Sequence, residues 1–306
     1  MLRSLTSRLL GRAHSAGLMI GRTQLSFAST VRKGTGPCIT RSDTRVLARP
    51  LFVGPPTNAI QDELAVMLRE LIPEAINQYL PLHVSLPGAV VQIAAFALDV
   101  LPKTHAERLD LTRWHFMQAA VAGQALACDC ESIGRDGDKQ LILGYAMDAA
   151  WHACIVGALT QAGMTAWSLN ADICRQFNQF HERLIEENQG GALVAVDPDS
   201  WSLLVWDDAG RVRYCSSRWR RAGENEFTAI AEEIERRILT CVASLPALKV
   251  EHVFIATGDG GAALADAMDA RLREPCIRLL QEVPVERDDA NIVMGSFPSV
   301  SAAVQA

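Results

Sequence analysis

The sequence predicts an α/β protein in which mixed sheets form two lobes, and three observations support this class. The chain has 306 residues, about twice the length of a common domain. Hydrophobic residues make up 49% and charged residues 21%, which is typical of a globular protein. A unit of paired strands followed by helices occurs twice along the chain. We therefore expect a basic segment over 1–16, a first lobe over 17–189 and a second lobe over 190–306.

The elements of the first lobe are predicted from short apolar runs and the turns that bound them. Residues 17–27 form two strands around a turn at Gly21, Arg22 and Thr23, and residues 32–36 form a loop. Asn58 is placed to cap a helix. Further strands are predicted at 83–86, 90–98, 123–133, 140–147 and 164–169. Helices are predicted at 106–122, 148–162 and 171–185, with a turn at 134–138 and a glycine cap at Gly163.

The second lobe repeats this order of paired strands and helices. Strands are predicted at 192–196, 201–206, 212–217 and 253–256, with a turn at 207–210. Helices are predicted at 226–242 and 262–273, and a glycine-rich loop at 258–261 precedes the second of them. Helix 226–242 is the clearest, because its apolar residues share one face while Glu–Arg pairs four residues apart share the other.

The charge of the chain is uneven. Residues 1–42 contain seven Lys or Arg and no acid, so the remaining residues carry 22 bases and 35 acids, a net charge of −13. Because phosphate neutralisation dominates nucleic-acid affinity, so acidic a body is not expected to bind nucleic acid. The basic start is either an organellar transit segment or a short amphipathic segment that contacts anionic lipid weakly or stays solvated. The strand predicted from Gly17 disfavours the transit segment.

Eight cysteines are scattered without a pair at zinc-binding spacing. Cys128 and Cys130 are expected at alternate positions of one strand rather than as metal ligands. The apolar runs are all shorter than the roughly 20 residues of a spanning helix. We therefore expect reduced thiols and a cytoplasmic protein.

Several stretches of the chain resemble one protein family. They are residues 8–12 with 17–21 (GLMIG), 86–88 with 101–116, 148–170, 193–197 (LVAVD) and 253–258 (VFIATG). By their pattern and order the sequence resembles the PilM-type proteins of type IV pilus assembly, including the MshI-like members. That resemblance implies a two-lobed actin-like (ribonuclease H-like) ATPase fold.

In that fold, two hairpin turns and one glycine-rich turn close around a nucleotide. Tight turns direct backbone N–H groups at phosphate oxygens, and a carboxylate in each hairpin holds Mg²⁺ or positions water. The resemblance implies nucleotide contacts at six positions: Gly21, Thr23, Asp197, Gly258, Gly260 and Gly261. It assigns no catalytic residue and no metal ligand.

The nucleotide motifs depart from the family pattern. Met19 stands where the first carboxylate is expected, and a thioether is a poor ligand for Mg²⁺. The second motif keeps Asp197, but Asp199 replaces a glycine and adds charge beside the phosphates. We therefore expect a pseudo-ATPase in which ATP and Mg²⁺ bind weakly or not at all.

The resemblance implies a cytoplasmic scaffold, peripheral to the inner membrane, in a pilus-assembly or secretion platform. It would dock the cytoplasmic tail of a single-span PilN-like protein in a groove between subdomains of the first lobe. One alternative is an active actin-like ATPase or kinase that uses Asp197 and the loop at Gly258. Another is a split component of a type II secretion system, similar to GspL.

Two other groups of residues can be interpreted either as structural or as functional. Residues 217–221 (SRWRR) are basic and aromatic and could bind anions, but in an acidic lobe we expect ion pairs or a partner surface. His115 and His152 each follow a Trp on a predicted helix, where a position at the edge of the core is more common than catalysis.

Overall fold

The computed structural model describes residues 14–33, 36–72, 82–118, 123–185, 189–197, 199–220, 227–245, 247–257, 261–272 and 276–279. Its thirteen described strands are β1 (His14–Ile20), β2 (Gln24–Lys33), β3 (Gly36–Val46), β4 (Leu82–Leu86), β5 (Gln92–Leu98), β6 (Leu126–Asp136), β7 (Lys139–Asp148), β8 (Ala166–Ala171), β9 (Gly191–Val196), β10 (Ser200–Trp206), β11 (Val212–Trp219), β12 (His252–Thr257) and β13 (Cys276–Leu279). Its six described helices are α1 (Asn58–Leu71), α2 (His105–Met117), α3 (Ala149–Gln161), α4 (Asp172–Ile185), α5 (Phe227–Ser244) and α6 (Gly261–Asp269).

The first of two compact units contains the described residues of 14–87 and 150–179. Its sheet has the strand order β3-β2-β1-β4-β8. Strand β1 is antiparallel to β2 and parallel to β4, and β4 is parallel to β8. Leu18, Ile20 and Phe27 are fully buried, and so is Leu68 of α1. Burial of these side chains provides the main driving force for folding of this unit.

The second compact unit contains the described residues of 88–149 and 180–279. Its five-stranded sheet has the order β11-β10-β9-β12-β13. Strand β9 is antiparallel to β10 and parallel to β12, so strand order and direction repeat those of the first sheet. Helices α5 and α6 cover one face of this sheet through one continuous apolar cluster. The sequence prediction that a similar unit occurs twice is therefore confirmed.

A three-stranded antiparallel sheet also belongs to the second unit. Its order is β5-β7-β6, and Phe116 of α2 packs on it beside Leu126 and Ala146. Arg213 of β11 bonds Asp136 at the tip of the β6–β7 hairpin with an N–O distance of 2.7 Å. The three-stranded sheet thus contacts the five-stranded sheet, and the two pack together within the second unit. The lobe boundaries at 16/17 and 189/190 stay predictions.

The structure corrects the predicted elements at four places. Strands β3 and β13 were not predicted, because β3 is largely polar and β13 is very short; both depend on pairing with a neighbouring strand. Thr57, not Asn58, caps α1. The predicted turn at 134–138 is shorter, because β6 continues to Asp136 through a bulge between Ser132 and Gly134, and Gly134 has a positive φ of 116°.

Two local expectations from the sequence, the glycine cap at Gly163 and the alternate positions of Cys128 and Cys130, are confirmed. Gly163 has a positive φ of 76° and follows α3, as a left-handed helix cap requires. Cys128 and Cys130 occupy alternate positions of β6, and none of the eight cysteines forms a disulfide in the described residues. Within the same residues no helix is both long enough and apolar enough to cross a membrane.

Candidate functional site

The first hairpin turn joins β1 to β2 and needs a glycine at residue 21. The Gly21 N–H donates to the carbonyl oxygen of Gln24 over 2.9 Å. A Cβ atom at this position would lie 2.8 Å from the same oxygen, closer than packed atoms allow. The glycine is therefore explained by the geometry of the turn itself, whether or not a phosphate binds there.

Backbone hydrogen bonds hold the first turn from the side of β3. The carbonyl oxygen of Arg22 accepts from the Leu51 N–H over 2.7 Å, and that of Thr23 accepts from the Leu47 N–H over 2.8 Å. The chain after β3 thus folds back on the turn and fixes its conformation. Gly21 and Thr23 are brought together, as the predicted site requires.

Met19 lies inside β1, two residues before the turn. It is paired with Ser26 of β2 and with Ser85 of β4, and only 5% of it is exposed. Its surroundings are therefore a buried strand face on which the Met19 thioether lies beside two serines. Mg²⁺ does not fit these residues, because it needs hard oxygen ligands with charge.

The second hairpin turn joins β9 to β10 and contains Asp197 and Asp199. The Asp197 N–H donates to the Ser200 carbonyl oxygen over 2.8 Å. Arg220 holds the turn: its N–H donates to the Asp199 carbonyl oxygen over 2.7 Å, and its Nη1 donates to the Asp197 carbonyl oxygen over 3.3 Å. The Ser200 side chain is buried, and its Oγ has no hydrogen-bond partner within the described residues.

The two turns can be aligned because each contains a backbone hydrogen bond of the same kind. In each, the residue that follows the first strand donates to the first residue of the next strand. Asp197 is therefore the counterpart of Gly21, whereas Met19 is the counterpart of Ala195 in the strand. The two motifs matched to the family pattern thus differ in register by two residues, which the sequence alone did not indicate.

The third predicted turn is only partly described. Strand β12 ends at Thr257 and α6 begins at Gly261, so the strand and the helix follow the predicted order. Gly258 and Gly260 lie outside the described residues, as do residues 1–13 of the basic segment. The nucleotide contacts at all six positions stay predictions. In the described residues no group of three His, Cys, Asp or Glu side chains is arranged to hold a metal ion.

A buried polar cluster that the sequence did not indicate lies in the first unit. Nδ1 of His83 is 2.7 Å from Oγ of Ser168, and the guanidinium of Arg175 donates to the same oxygen over 2.5 Å. Burial, followed by the charge of Arg175, lowers the pKa of His83 to about 4. Burial also lowers the pKa of Arg175 to about 10. At neutral pH the imidazole is therefore uncharged and the guanidinium charged.

Arg218, near the end of β11, forms an ion pair, which is one of the two interpretations that the sequence favoured; Arg221 lies outside the described residues. Nε of Arg218 lies 3.5 Å from Oε1 of Glu233 on α5. A cavity of about 320 Å³ adjoins this pair, and its lining also includes Trp201 and Arg236. His115 stacks on Phe96 with ring centroids 4.7 Å apart, so the packing expected for this histidine is confirmed.

Comparisons with known proteins identify the fold. No protein-family model matches the sequence, and no curated protein sequence matches it. A chain of a PilM–PilN type IV pilus biogenesis complex is similar in structure, with a TM-score of 0.73 and 17% identity. That similarity covers 95% of this chain and 98% of the other.

Two further solved structures are similar. A Bacteroides thetaiotaomicron protein with an actin-like ATPase fold and unknown function has a TM-score of 0.52 and 8% identity, over 87% of this chain and 90% of its own. The cytoplasmic domain of EpsL, from the type II secretion system of Vibrio cholerae, has a TM-score of 0.48 and 11% identity, over 96% of this chain and 95% of its own. The two repeated sheets and the first two of these likenesses establish that this chain has the actin-like ATPase fold.

Proposed function

We propose that this protein is a cytoplasmic scaffold of an inner-membrane pilus-assembly platform and docks the cytoplasmic tail of a single-span PilN-like protein. The observation that carries the proposal is the extent of the likeness to a chain of the PilM–PilN complex. It covers 95% of this chain and 98% of the other, so it includes the three-stranded sheet as well as both repeats. A likeness limited to the repeated sheets would support only the general fold.

The chemistry of the turns supports a pseudo-ATPase. The counterpart of Asp197 in the first turn is Gly21, which has no carboxylate, and Met19 nearby is a buried thioether. Binding of a peptide tail needs no carboxylate in this turn, so its absence is compatible with a scaffold. We expect weak or no binding of ATP with Mg²⁺ and negligible turnover.

The docking experiment uses synthetic peptides of the N-terminal cytoplasmic tails of single-span membrane proteins encoded beside this gene. Titration into the full chain is followed by calorimetry and by tryptophan fluorescence. Trp114 on α2 and Trp167 on β8 are both exposed, at 62% and 60%, and serve as reporters. One tail is expected to bind with micromolar affinity, while its scrambled version does not.

The docking proposal is overturned if none of these tails binds and a deletion strain assembles normal pili. A tail from a secretion-system protein that binds in place of a pilus tail would assign the chain to the GspL-like alternative. The Trp114→Phe and Trp167→Phe variants show which reporter senses the peptide.

An active ATPase is the second candidate, because Asp197 is retained within a well-formed turn. Asp197→Asn keeps the size of the side chain and the backbone bond from Arg220. In a scaffold this variant binds the partner tail as the wild type does. In an enzyme it abolishes phosphate release measured with ATP and Mg²⁺, and steady release by the wild type would exclude the pseudo-ATPase.

A further inference from the structure

A cavity of about 320 Å³ in the second compact unit has as lining residues Trp201 and Trp219, the chain neighbours of Ser200 and Arg220 in the second hairpin turn. We call it the Arg218 pocket. It lies beside the ends of β10 and β11 and the first turns of α5. Its lining residues combine aromatic, aliphatic and charged side chains: Trp201, Arg218, Trp219, Ala229, Ile230, Glu233 and Arg236. Its volume is near the lower limit of ligand pockets, about 300 Å³.

Among the described residues at this pocket, arginines outnumber carboxylates. Glu233 contacts three guanidinium groups: Arg218 at 3.5 Å, Arg236 at 3.1 Å and Arg237 at 2.8 Å. The cluster therefore has three positive charges and one negative charge. Burial raises the pKa of Glu233, but hydrogen bonds from Arg236 and Arg237 outweigh this and lower it, so the carboxylate is ionised at neutral pH.

The two outer arginines face solvent. The side chains of Arg218 and Arg236 are 59% and 66% exposed, whereas that of Arg237 is 15% exposed and lies 5.7 Å from the Trp201 ring. Each guanidinium carries five N–H donors, and one carboxylate cannot accept from all of them. Arg218 and Arg236 can therefore receive another carboxylate at the mouth of the pocket.

Neighbouring carboxylates of α5 have a different partner. Glu232 and Glu235 both contact Arg271, at the end of α6. The acidic residues of this helix are thus divided between two basic groups, and the group around Glu233 retains excess positive charge. Leu239 lies three residues beyond Arg236 on the same helix and is 61% exposed, which adds an apolar contact beside the basic mouth.

We propose that the Arg218 pocket binds an acidic peptide segment of a partner protein. One carboxylate of the peptide pairs with Arg218 and Arg236, and an adjacent apolar side chain contacts the pocket lining and Leu239. A carboxylate carries a single charge and suits a pocket that already contains Glu233, which would repel a polyphosphate. This proposal does not rest on the proposed docking of a PilN-like tail.

Selection from a library of random displayed heptapeptides tests the proposal on the full chain. Peptides that also bind the variant Ala229→Trp are removed, because this substitution fills the pocket without changing its charge. The enriched peptides are expected to contain an Asp or Glu next to an apolar residue. Circular dichroism must show that the variant folds as the wild type does.

Calorimetry with an enriched peptide then tests the role of each charge. Arg218→Gln is expected to weaken binding about tenfold, as expected for loss of a charge-assisted hydrogen bond. The control Arg113→Gln removes an exposed arginine paired with Asp110 on α2 and leaves affinity unchanged. Glu233→Gln is expected to tighten binding about threefold, because it removes the competing carboxylate.

Three results would overturn the proposal. They are failure to enrich any peptide after depletion on Ala229→Trp, enrichment of peptides without acidic residues, and displacement of the peptide by inorganic phosphate at constant ionic strength. The last would assign the pocket to a phosphate ligand. Weakened binding by Glu233→Gln would instead show that Glu233 only positions the arginines, and would contradict the excess-charge model.

Discussion

His83 shows how a single buried side chain responds to its surroundings. It lies in β4 of the first unit, and Oγ of Ser168 is shared between its Nδ1 and the guanidinium of Arg175. The imidazole is uncharged in the folded protein because burial and the nearby guanidinium both oppose protonation. A cationic neighbour and a neutral histidine are thus held together by one hydroxyl group.

We predict that His83 makes the stability of the protein depend on pH. Its pKa is about 4 in the folded protein and 6.5 ordinarily. The unfolded chain therefore binds the proton first as pH falls. The neutral imidazole of His83 contributes about 3 kcal/mol to the free energy of unfolding. This contribution is complete above pH 6.5 and is lost as pH falls towards 4.

Thermal unfolding measured across this range tests the prediction. The fall in melting temperature of the wild type should be steeper than that of His83→Gln, which keeps a hydrogen-bonding group but does not titrate. His105→Gln, at an exposed position, is the matched control. Parallel profiles for the wild type and His83→Gln would contradict the prediction.

Thr112 is a second residue with a predicted effect on stability. It is fully buried in α2, and its Oγ1 has no hydrogen-bond partner among the residues described. Thr112→Val has the same shape and removes that hydroxyl, so the free energy of unfolding should rise by about 1 kcal/mol. Urea denaturation measures the free energy of unfolding. Thr160→Val is the control, because the Oγ1 of Thr160 has a partner and donates to the carbonyl oxygen of Val156. A loss of stability in Thr112→Val would refute it.

At the scale of elements, the β10–β11 hairpin is tied to the tip of the β6–β7 hairpin. Asp207 is buried. One of its carboxylate oxygens accepts from the backbone N–H groups of Ala209 and Arg211. The other accepts from the side chains of Arg211 and Arg213. Arg213 also bonds Asp136, and Arg211 donates to the carbonyl oxygen of Arg135. Two hairpins far apart in sequence are thus joined by two arginines, both of which are held by Asp207.

Asp207→Ala should strongly destabilise the second unit. It leaves the largely buried Arg213 without one of its carboxylates, and such losses cost about 3–5 kcal/mol. Chemical denaturation of the full chain measures the change. Asp208→Ala, at the neighbouring exposed position, should change the unfolding free energy by less than about 0.5 kcal/mol. Equal effects of the two substitutions would show that the link is unimportant.

The element scale also shows where local sequence signals were sufficient. Helix α5 was predicted because its apolar face and its Glu–Arg pairs follow from helical spacing alone. Strand β3 was missed because a polar edge strand is stabilised by its partner: Oγ of Ser29 lies 2.9 Å from Oγ1 of Thr40 across the β2–β3 pair. Its stability is therefore not encoded in its own apolar pattern.

For the whole molecule, the uneven charge has a structural interpretation. Four of the seven basic residues in 1–42 belong to the β1–β3 region: Arg22, Arg32, Lys33 and Arg41. The others are Arg3, Arg8 and Arg12, which precede β1, and the predicted membrane contact is assigned to these three. At about 1 kcal/mol for each basic residue near an anionic surface, the contact should be weak.

Vesicle sedimentation tests this contact with the full chain. The wild type should bind vesicles of phosphatidylcholine with phosphatidylglycerol and not vesicles of phosphatidylcholine alone. Replacement of Arg3, Arg8 and Arg12 by Gln should lower the binding constant about 100-fold. If the triple variant binds as tightly as the wild type, the basic segment makes no membrane contact.

Local patterns alone predicted most of the strands and helices and the two repeated units, because periodicity and turns are properties of neighbouring residues. The expected loss of a carboxylate at Met19 came from the resemblance to a protein family and stays a prediction. The packing of whole elements determined the remaining features. It aligned Asp197 with Gly21, since strand register depends on hydrogen bonds between strands. It also brought Glu233 to Arg218 and Ser168 to His83. Such contacts join residues distant in sequence, and their positions depend on how whole elements pack rather than on any short pattern.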